Sequence, residues 1–118
     1  MSAKILVVDD SPLMTKLAQD HLAAEGYQVE TAPDGPSALT IAESWKPDLV
    51  LLDVMMPEMD GFEACRRLRK MKTTSSVPII MLTAVSNIEA KKTGFACGAD
   101  DYITKPFEPA ELMLRVAA

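Results

Sequence analysis

Five side chains standing just beyond short apolar runs carry the chemistry available to this chain. Asp9 and Asp10 follow Ile5-Leu6-Val7-Val8, and Asp53 follows Leu49-Val50-Leu51-Leu52. Thr83 closes Ile79-Ile80-Met81-Leu82, and Lys105 follows Tyr102-Ile103-Thr104. Three carboxylates gathered at one place raise one another's pKa or demand a cation. An all-oxygen donor set with few carboxylates suits Mg²⁺, which keeps several waters and shares phosphate oxygens; Mn²⁺ accepts the same donors. A divalent cation, an ammonium and a hydroxyl around one carboxylate form a phosphoryl-transfer environment. Charge on the equatorial oxygens is neutralised, and Asp53 is free to attack in line.

These groups meet only if the elements behind them converge. The runs at Ile5, Leu49 and Ile79 show no polar alternation, as expected of strands buried on both faces of a parallel sheet. Tyr27 to Thr31 alternates and reads as a half-exposed edge strand. Val77 to Thr83 reads as the fourth strand, with Pro78 tolerated because it lies at the start. Tyr102 to Thr104 is a short fifth strand.

Between the strands lie helical patterns. Ser11-Pro12 starts the first helix, with Met14, Leu17, Ala18 and Leu22 on its apolar face and Gly26 as its stop. Asp34-Gly35-Pro36 opens the second, which turns Ala38, Leu39, Ala42 and Trp45 to the sheet, Trp45 as packing. The third begins near Asp60-Gly61 and carries Phe62, Cys65, Leu68 and Met71; its Arg66, Arg67, Arg69, Lys70 and Lys72 read as a solvated face. A weaker helix, anchored by Ile88 and Phe95, spans roughly 87–97. Lys105-Pro106-Phe107 forms a corner, and Pro109 opens a last helix through Leu112, Met113 and Val116.

Strand and helix alternate five times, which predicts an α/β fold: a single-domain, doubly wound (βα)5 three-layer sandwich with right-handed crossovers. With the most apolar strands central and those at Tyr27 and Tyr102 at the edges, the parallel five-stranded sheet takes the order 2-1-3-4-5. Its switch point then lies between strands one and three, where ligands bind beyond the carboxyl ends. Asp9, Asp10 and Asp53 would converge there.

The chain has 118 residues, 48% hydrophobic and 25% charged, the balance of one globular domain. A net charge of −5 argues against nucleic-acid binding by this domain, since phosphate contacts need a basic surface. Cys65 and Cys97 lack metal-ligand spacing and read as core thiols kept reduced. No apolar run is long enough for a signal peptide or a membrane span, so a cytoplasmic protein is expected. Each candidate has a bland alternative: Asp10 as a helix-terminus charge, Asp53 as a loop cap, Thr83 as a β-former, Lys105 as solvated. Their joint occurrence at successive strand ends favours the chemical reading.

Taken together, Val7-Val8-Asp9-Asp10-Ser11, Leu51 through Gly61 with Asp53-Val54-Met55-Met56-Pro57 at its centre, Leu82-Thr83-Ala84 and Tyr102-Ile103-Thr104-Lys105-Pro106-Phe107 resemble the receiver domain of two-component response regulators over nearly the whole chain. The resemblance implies that Asp53 accepts a phosphoryl group from a phosphohistidine of a sensor histidine kinase or a histidine phosphotransfer protein. It implies Mg²⁺ held by Asp9, Asp10, Asp53 and the backbone carbonyl of Met55. Lys105 would pair with the phosphoryl group, its peptide bond to Pro106 would be cis, and Thr83 would hydrogen-bond a phosphoryl oxygen. Thr83, Ala84 and Tyr102 would then switch the face formed by the fourth helix, fifth strand and fifth helix, and so control an output domain, a partner protein or a homodimer.

The apolar side chain of Met55 cannot orient an attacking water, so hydrolysis of the acyl phosphate would lack side-chain help there. The short last helix reads as cut, the expectation being a receiver (1–118) whose natural protein continues into an output domain. The chain would be a signalling phosphoacceptor rather than an enzyme, catalysing its own transfer and slow self-dephosphorylation. Competing readings fit less well. A haloacid-dehalogenase-type phosphatase would want an acid where Ser11 stands, and an FMN carrier would want a phosphate loop where Asp9 and Asp10 stand. A non-phosphorylated pseudo-receiver would not need the full set of five residues.

Overall fold

The computed structural model describes residues 3–54, 56, 59–83, 98–104 and 116. The strands are β1 (Lys4–Val8), β2 (Gln28–Ala32), β3 (Leu49–Asp53), β4 (Ile79–Thr83) and β5 (Asp101–Thr104). The helices are α1 (Pro12–Ala24), α2 (Gly35–Trp45) and α3 (Gly61–Lys70). The helices expected at 87–97 and from Pro109, the Lys105-Pro106 corner and Cys97 lie outside the described residues.

The five strands form one parallel sheet in the order β2-β1-β3-β4-β5, as their relative apolarity predicts. Successive residues of a strand point to opposite faces, and the core divides accordingly. Leu6, Val8, Val50, Leu52, Ile79 and Met81 pack with Ala38 and Ala42 of α2 and Ala64, Cys65 and Leu68 of α3. Ile5, Val7, Leu51, Ile80, Leu82 and Ile103 face the other way, against Ala18 and Leu22 of α1 and Val116. An apolar run without alternation is thus what a strand needs when both faces are covered. Among the described residues β2 has one sheet neighbour, and its exposed Gln28 and Glu30 show the alternation of an edge.

Three local expectations need correction. β2 starts one residue later than Tyr27, because Tyr27 N is used in closing α1 against Leu22 O at 3.2 Å. β4 starts at Ile79 rather than Val77, since Pro78 has no N–H to give to a ladder. Leu17 is exposed, as is Leu13 at 75%; α1 buries a narrow stripe of Ala18 and Leu22 and leaves its flanks outside.

Helix starts follow side-chain chemistry. Ser11 Oγ accepts from Met14 N, Asp34 Oδ1 from Ser37 N and Asp60 Oδ1 from Glu63 N, each satisfying an otherwise orphaned donor. Trp45 packs partly buried against the α2–α3 side of the core, and Lys4 Nζ lies 5.6 Å from its ring centroid. That places Trp45 at the amino end of β1, opposite the candidate site.

Candidate functional site

Sheet register builds the site before any side chain is considered. Val8 pairs with Leu52 across β1 and β3, so the next residues, Asp9 and Asp53, leave neighbouring strands side by side. Both carboxylates are buried, Asp9 at 2% exposure and Asp53 at 4%, while Asp10 is exposed. Each of the three offers a carboxylate oxygen within 4.8 Å of the others. Three acids so close, two of them out of water, repel one another unless a cation stands between them.

Asp9 is fixed from two directions. Its N–H donates to Ala32 O at 3.1 Å, and its Oδ1 accepts from Ser11 N at 3.0 Å. Ser11 also caps α1, and Pro12 follows at the first helical position, where its missing N–H costs nothing. The start of α1 therefore orients one carboxylate of the cluster. A cavity of about 170 Å³, lined in part by Asp9, Asp10, Thr15 and Thr31, opens beside it.

Asp53 is held from behind. Val54 N donates to Leu82 O at 3.0 Å, and Gly61 N to Val54 O at 2.9 Å. A Cβ at Gly61 would run into the carbonyl oxygen of Asp53 and come within 2.8 Å of Val54 Cα. Only glycine lets the first turn of α3 sit this close to the end of β3. Gly35, at the start of α2, is pressed in the same manner against Met59, whose Sδ would lie 2.8 Å from an added Cβ. In the sequence Gly61 marks a helix start and closes the Leu51–Gly61 stretch, but its close approach to β3 is visible only in the fold.

Thr83 is the last residue of β4 and pairs with Thr104 of β5, whose neighbour in the chain is Lys105. Tyr102 is buried and packs on the α2–α3 side of the sheet. Met55, Ala84, Lys105 and Pro106 lie outside the described residues. Among the predicted site residues, the structure thus brings Asp9, Asp10 and Asp53 together and sets the backbone of Thr83 one residue past Leu82, the partner of Asp53.

The basic run of α3 divides. Arg66 and Arg67 are exposed and pair with Glu63 at 2.9 and 2.8 Å. Arg69 corrects the solvated-face reading, because its side chain is only 20% exposed and bonds across the fold to Gly98 and Asp100. Cys65 is buried, as a core thiol should be. Among the described residues, no helix is long and apolar enough to cross a membrane.

Comparison with known proteins agrees with this geometry. The response regulator receiver domain family matches residues 5–117. The alkaline phosphatase synthesis transcriptional regulatory protein PhoP of Bacillus subtilis is 51% identical over 118 residues, which is 100% of this chain and 48% of that protein. The chain thus spans about half the length of that relative. Chemotaxis protein CheY4 of Vibrio cholerae superposes with a TM-score of 0.96 at 38% identity, covering 99% of this chain and 98% of that one. The receiver domain of sensor histidine kinase PA1611 from Pseudomonas aeruginosa, solved with a magnesium ion coordinated in its active-site cleft, gives 0.90 at 34%, covering 98% and 95%. A doubly wound 2-1-3-4-5 sheet, a cluster of acids at its switch point and these likenesses lead to one assignment: the chain belongs to the response regulator receiver domain family of two-component signalling.

Proposed function

We propose that this receiver takes a phosphoryl group onto Asp53 from a phosphohistidine, in a reaction that needs Mg²⁺. The observation that carries the proposal is the buried pairing of Asp9 with Asp53, with Asp10 alongside, in a donor set of the kind that suits a hard divalent cation. Asp9, Asp10 and Asp53 would hold the ion, joined by the carbonyl of Met55. When bound, the ion supplies positive charge against the equatorial phosphoryl oxygens. The magnesium found in the active-site cleft of the PA1611 receiver supports the same donor role here.

The chain's own residues would do the rest. An oxygen of Asp53 attacks phosphorus as the P–N bond to the donor's imidazole breaks, and the imidazole leaves with the bonding electron pair. Register and the α3 contact fix the backbone that carries Asp53; Lys105 would balance the charge and Thr83 would donate to a phosphoryl oxygen. Hydrolysis of the acyl phosphate would return the carboxylate slowly, without help from Met55. Phosphorylation would then bias a two-state element around Thr83, Ala84 and Tyr102. Moving such an equilibrium from 1:99 to 99:1 takes about 5.5 kcal/mol of differential stabilisation, within reach of a few charge-assisted hydrogen bonds.

The partners would be a sensor histidine kinase or phosphotransfer protein on the input side and an output domain, a partner protein or a second copy on the other. Its relative PhoP is a transcriptional regulator about twice as long, which supports a receiver that serves a separate output domain. Beryllofluoride with Mg²⁺ tests the reading. Amide shifts near Asp9 and Asp53, and then at Thr83 and Tyr102, should move in the wild type and not in Asp53→Ala. Identical shifts in both proteins would instead favour a pseudo-receiver.

A further inference from the structure

We propose that Arg69 is a positioning residue for the phosphoryl-binding half of the site, acting through the starts of β4 and β5; this rests on the phosphoacceptor reading above. Nothing in the acidic cluster uses Arg69, which stands in the last turn of α3. Its Nε and Nη2 both donate to Gly98 O, at 2.9 and 2.7 Å. Nη1 donates to Val77 O at 2.5 Å and to Thr74 O at 3.2 Å. Nη2 also meets Asp100 Oδ2 at 2.7 Å, and that oxygen accepts from Ile79 N at 2.9 Å. Asp100 N completes the link by donating to Ile79 O at 2.8 Å.

One planar guanidinium thereby ties the residues just before β4 to those just before β5. A lysine has no such fork and would reach only part of this acceptor set. The chain is shaped to receive it: Gly98 has φ +103°, and a Cβ there would come within 2.9 Å of Arg69 Cγ. The Arg69–Asp100 ion pair alone would count for little, because Asp100 is 55% exposed. The donors to backbone carbonyls are the substance of the clasp.

Its consequence follows from topology. β5 is four residues long and, among the described residues, β4 is its one sheet neighbour, so what fixes the starts of both strands bears on where β5 lies. Both strands run from the clasp toward the site, ending at the Thr83–Thr104 pair with Lys105 next in the chain. The metal donors rest mainly on β1, β3 and the first turns of α1 and α3, and β4 meets them only near Leu82, at the end of the strand away from the clasp. Loosening the clasp should therefore disturb the phosphoryl contacts while leaving the cation site intact.

The experiment compares two readouts in the whole chain: Mg²⁺ affinity by calorimetry, and the rate of labelling by acetyl phosphate at saturating Mg²⁺. In Arg69→Gln the Mg²⁺ affinity should be unchanged and the labelling rate should fall by roughly tenfold, as expected when a reacting group is slightly misplaced. Arg69→Lys should fall in between, and it carries the same comparison if Arg69→Gln does not fold. Val29→Ala, a destabilising change on the opposite edge strand, should show no such split. Equal losses in both readouts, an unchanged labelling rate, or the same split in Val29→Ala would overturn the proposal. Failure of the wild type to label at all would overturn the phosphoacceptor reading, and this proposal with it.

Discussion

Asp9 and Asp53 follow Val8 and Leu52, which face each other across β1 and β3, and so two buried carboxylates share one rung at the switch point of the sheet. No loop has to fold around a ligand to bring them together; strand register does it. Asp10, next in the chain and exposed, adds a third carboxylate from the solvent side. The site is therefore as rigid as the sheet that carries it, and its first consequence is electrostatic.

Mg²⁺ should raise the melting temperature of the wild type. A ligand that binds only the folded chain stabilises it by about 2.7 kcal/mol at a hundredfold excess over Kd. Asp10→Asn should remove one repelling charge, stabilise the metal-free chain by roughly 1 kcal/mol, and reduce the gain from Mg²⁺. Thermal unfolding with and without the cation, read by circular dichroism, decides it; equal gains in wild type and variant would exclude Asp10 as a donor.

Gly61 should tolerate no side chain. Its missing Cβ leaves room for the Asp53 carbonyl, so Gly61→Ala forces the end of β3 and the start of α3 apart. Overpacking of this kind costs about 1–3 kcal/mol. Urea denaturation should show that loss, accompanied by weaker Mg²⁺ binding because the displaced peptide belongs to Asp53. A stable Gly61→Ala protein with ordinary Mg²⁺ affinity would show that the contact relaxes without cost.

Lys46 offers the opposite case. It ends α2 with φ 56°, the left-handed conformation that side chains disfavour and glycine accepts. Lys46→Gly should stabilise the fold by roughly 0.5–1 kcal/mol, shifting the urea midpoint upward. Lys46 follows Trp45 at the amino end of β1, away from the acidic cluster, so Mg²⁺ affinity should stay as it is.

Acid should weaken the helix starts. The Ser37 N–H that caps onto Asp34 lowers that carboxyl's pKa, and Arg67 and Arg66 lower that of Glu63. A pKa depressed on folding adds stability above the unfolded value, about pH 4, and loses it as pH falls through the folded value. Unfolding measured between pH 5 and pH 2 should therefore show a declining stability that flattens in Asp34→Asn and Glu63→Gln. Parallel curves for wild type and variants would assign the decline elsewhere.

The sequence made the sheet legible because each strand declares its own surroundings. Ile5–Val8, Leu49–Leu52 and Ile79–Leu82 must be covered on both faces, whereas the strands at Tyr27 and Tyr102 are more polar or shorter, and that contrast puts the first three at the centre and the other two at the edges. The acids at their ends were legible for the same reason, since a residue following a buried run has its position fixed by the run. Arg69 was not legible. In type and spacing it matches Arg66, Arg67 and Lys70, and only the return of the chain at Gly98–Asp100 distinguishes it from those solvated neighbours. Leu17 misled in the reverse direction, since its helical spacing matches the buried stripe and its exposure depends on how far α1 rolls against the sheet. The role of Gly61 was half visible: Asp60-Gly61 marked a helix start, but the need for the missing Cβ arises from β3, a contact that a local reading does not contain.

The central claim is that Asp53 accepts a phosphoryl group in a Mg²⁺-dependent reaction, and intact-mass measurement after incubation with acetyl phosphate tests it most directly. Wild type with Mg²⁺ should gain one phosphoryl group, with none gained in the presence of chelator or in Asp53→Asn; borohydride, which reduces the acyl phosphate to homoserine and releases phosphate, should mark position 53. Undiminished labelling in Asp53→Asn, or none in the wild type with Mg²⁺ present, would contradict it.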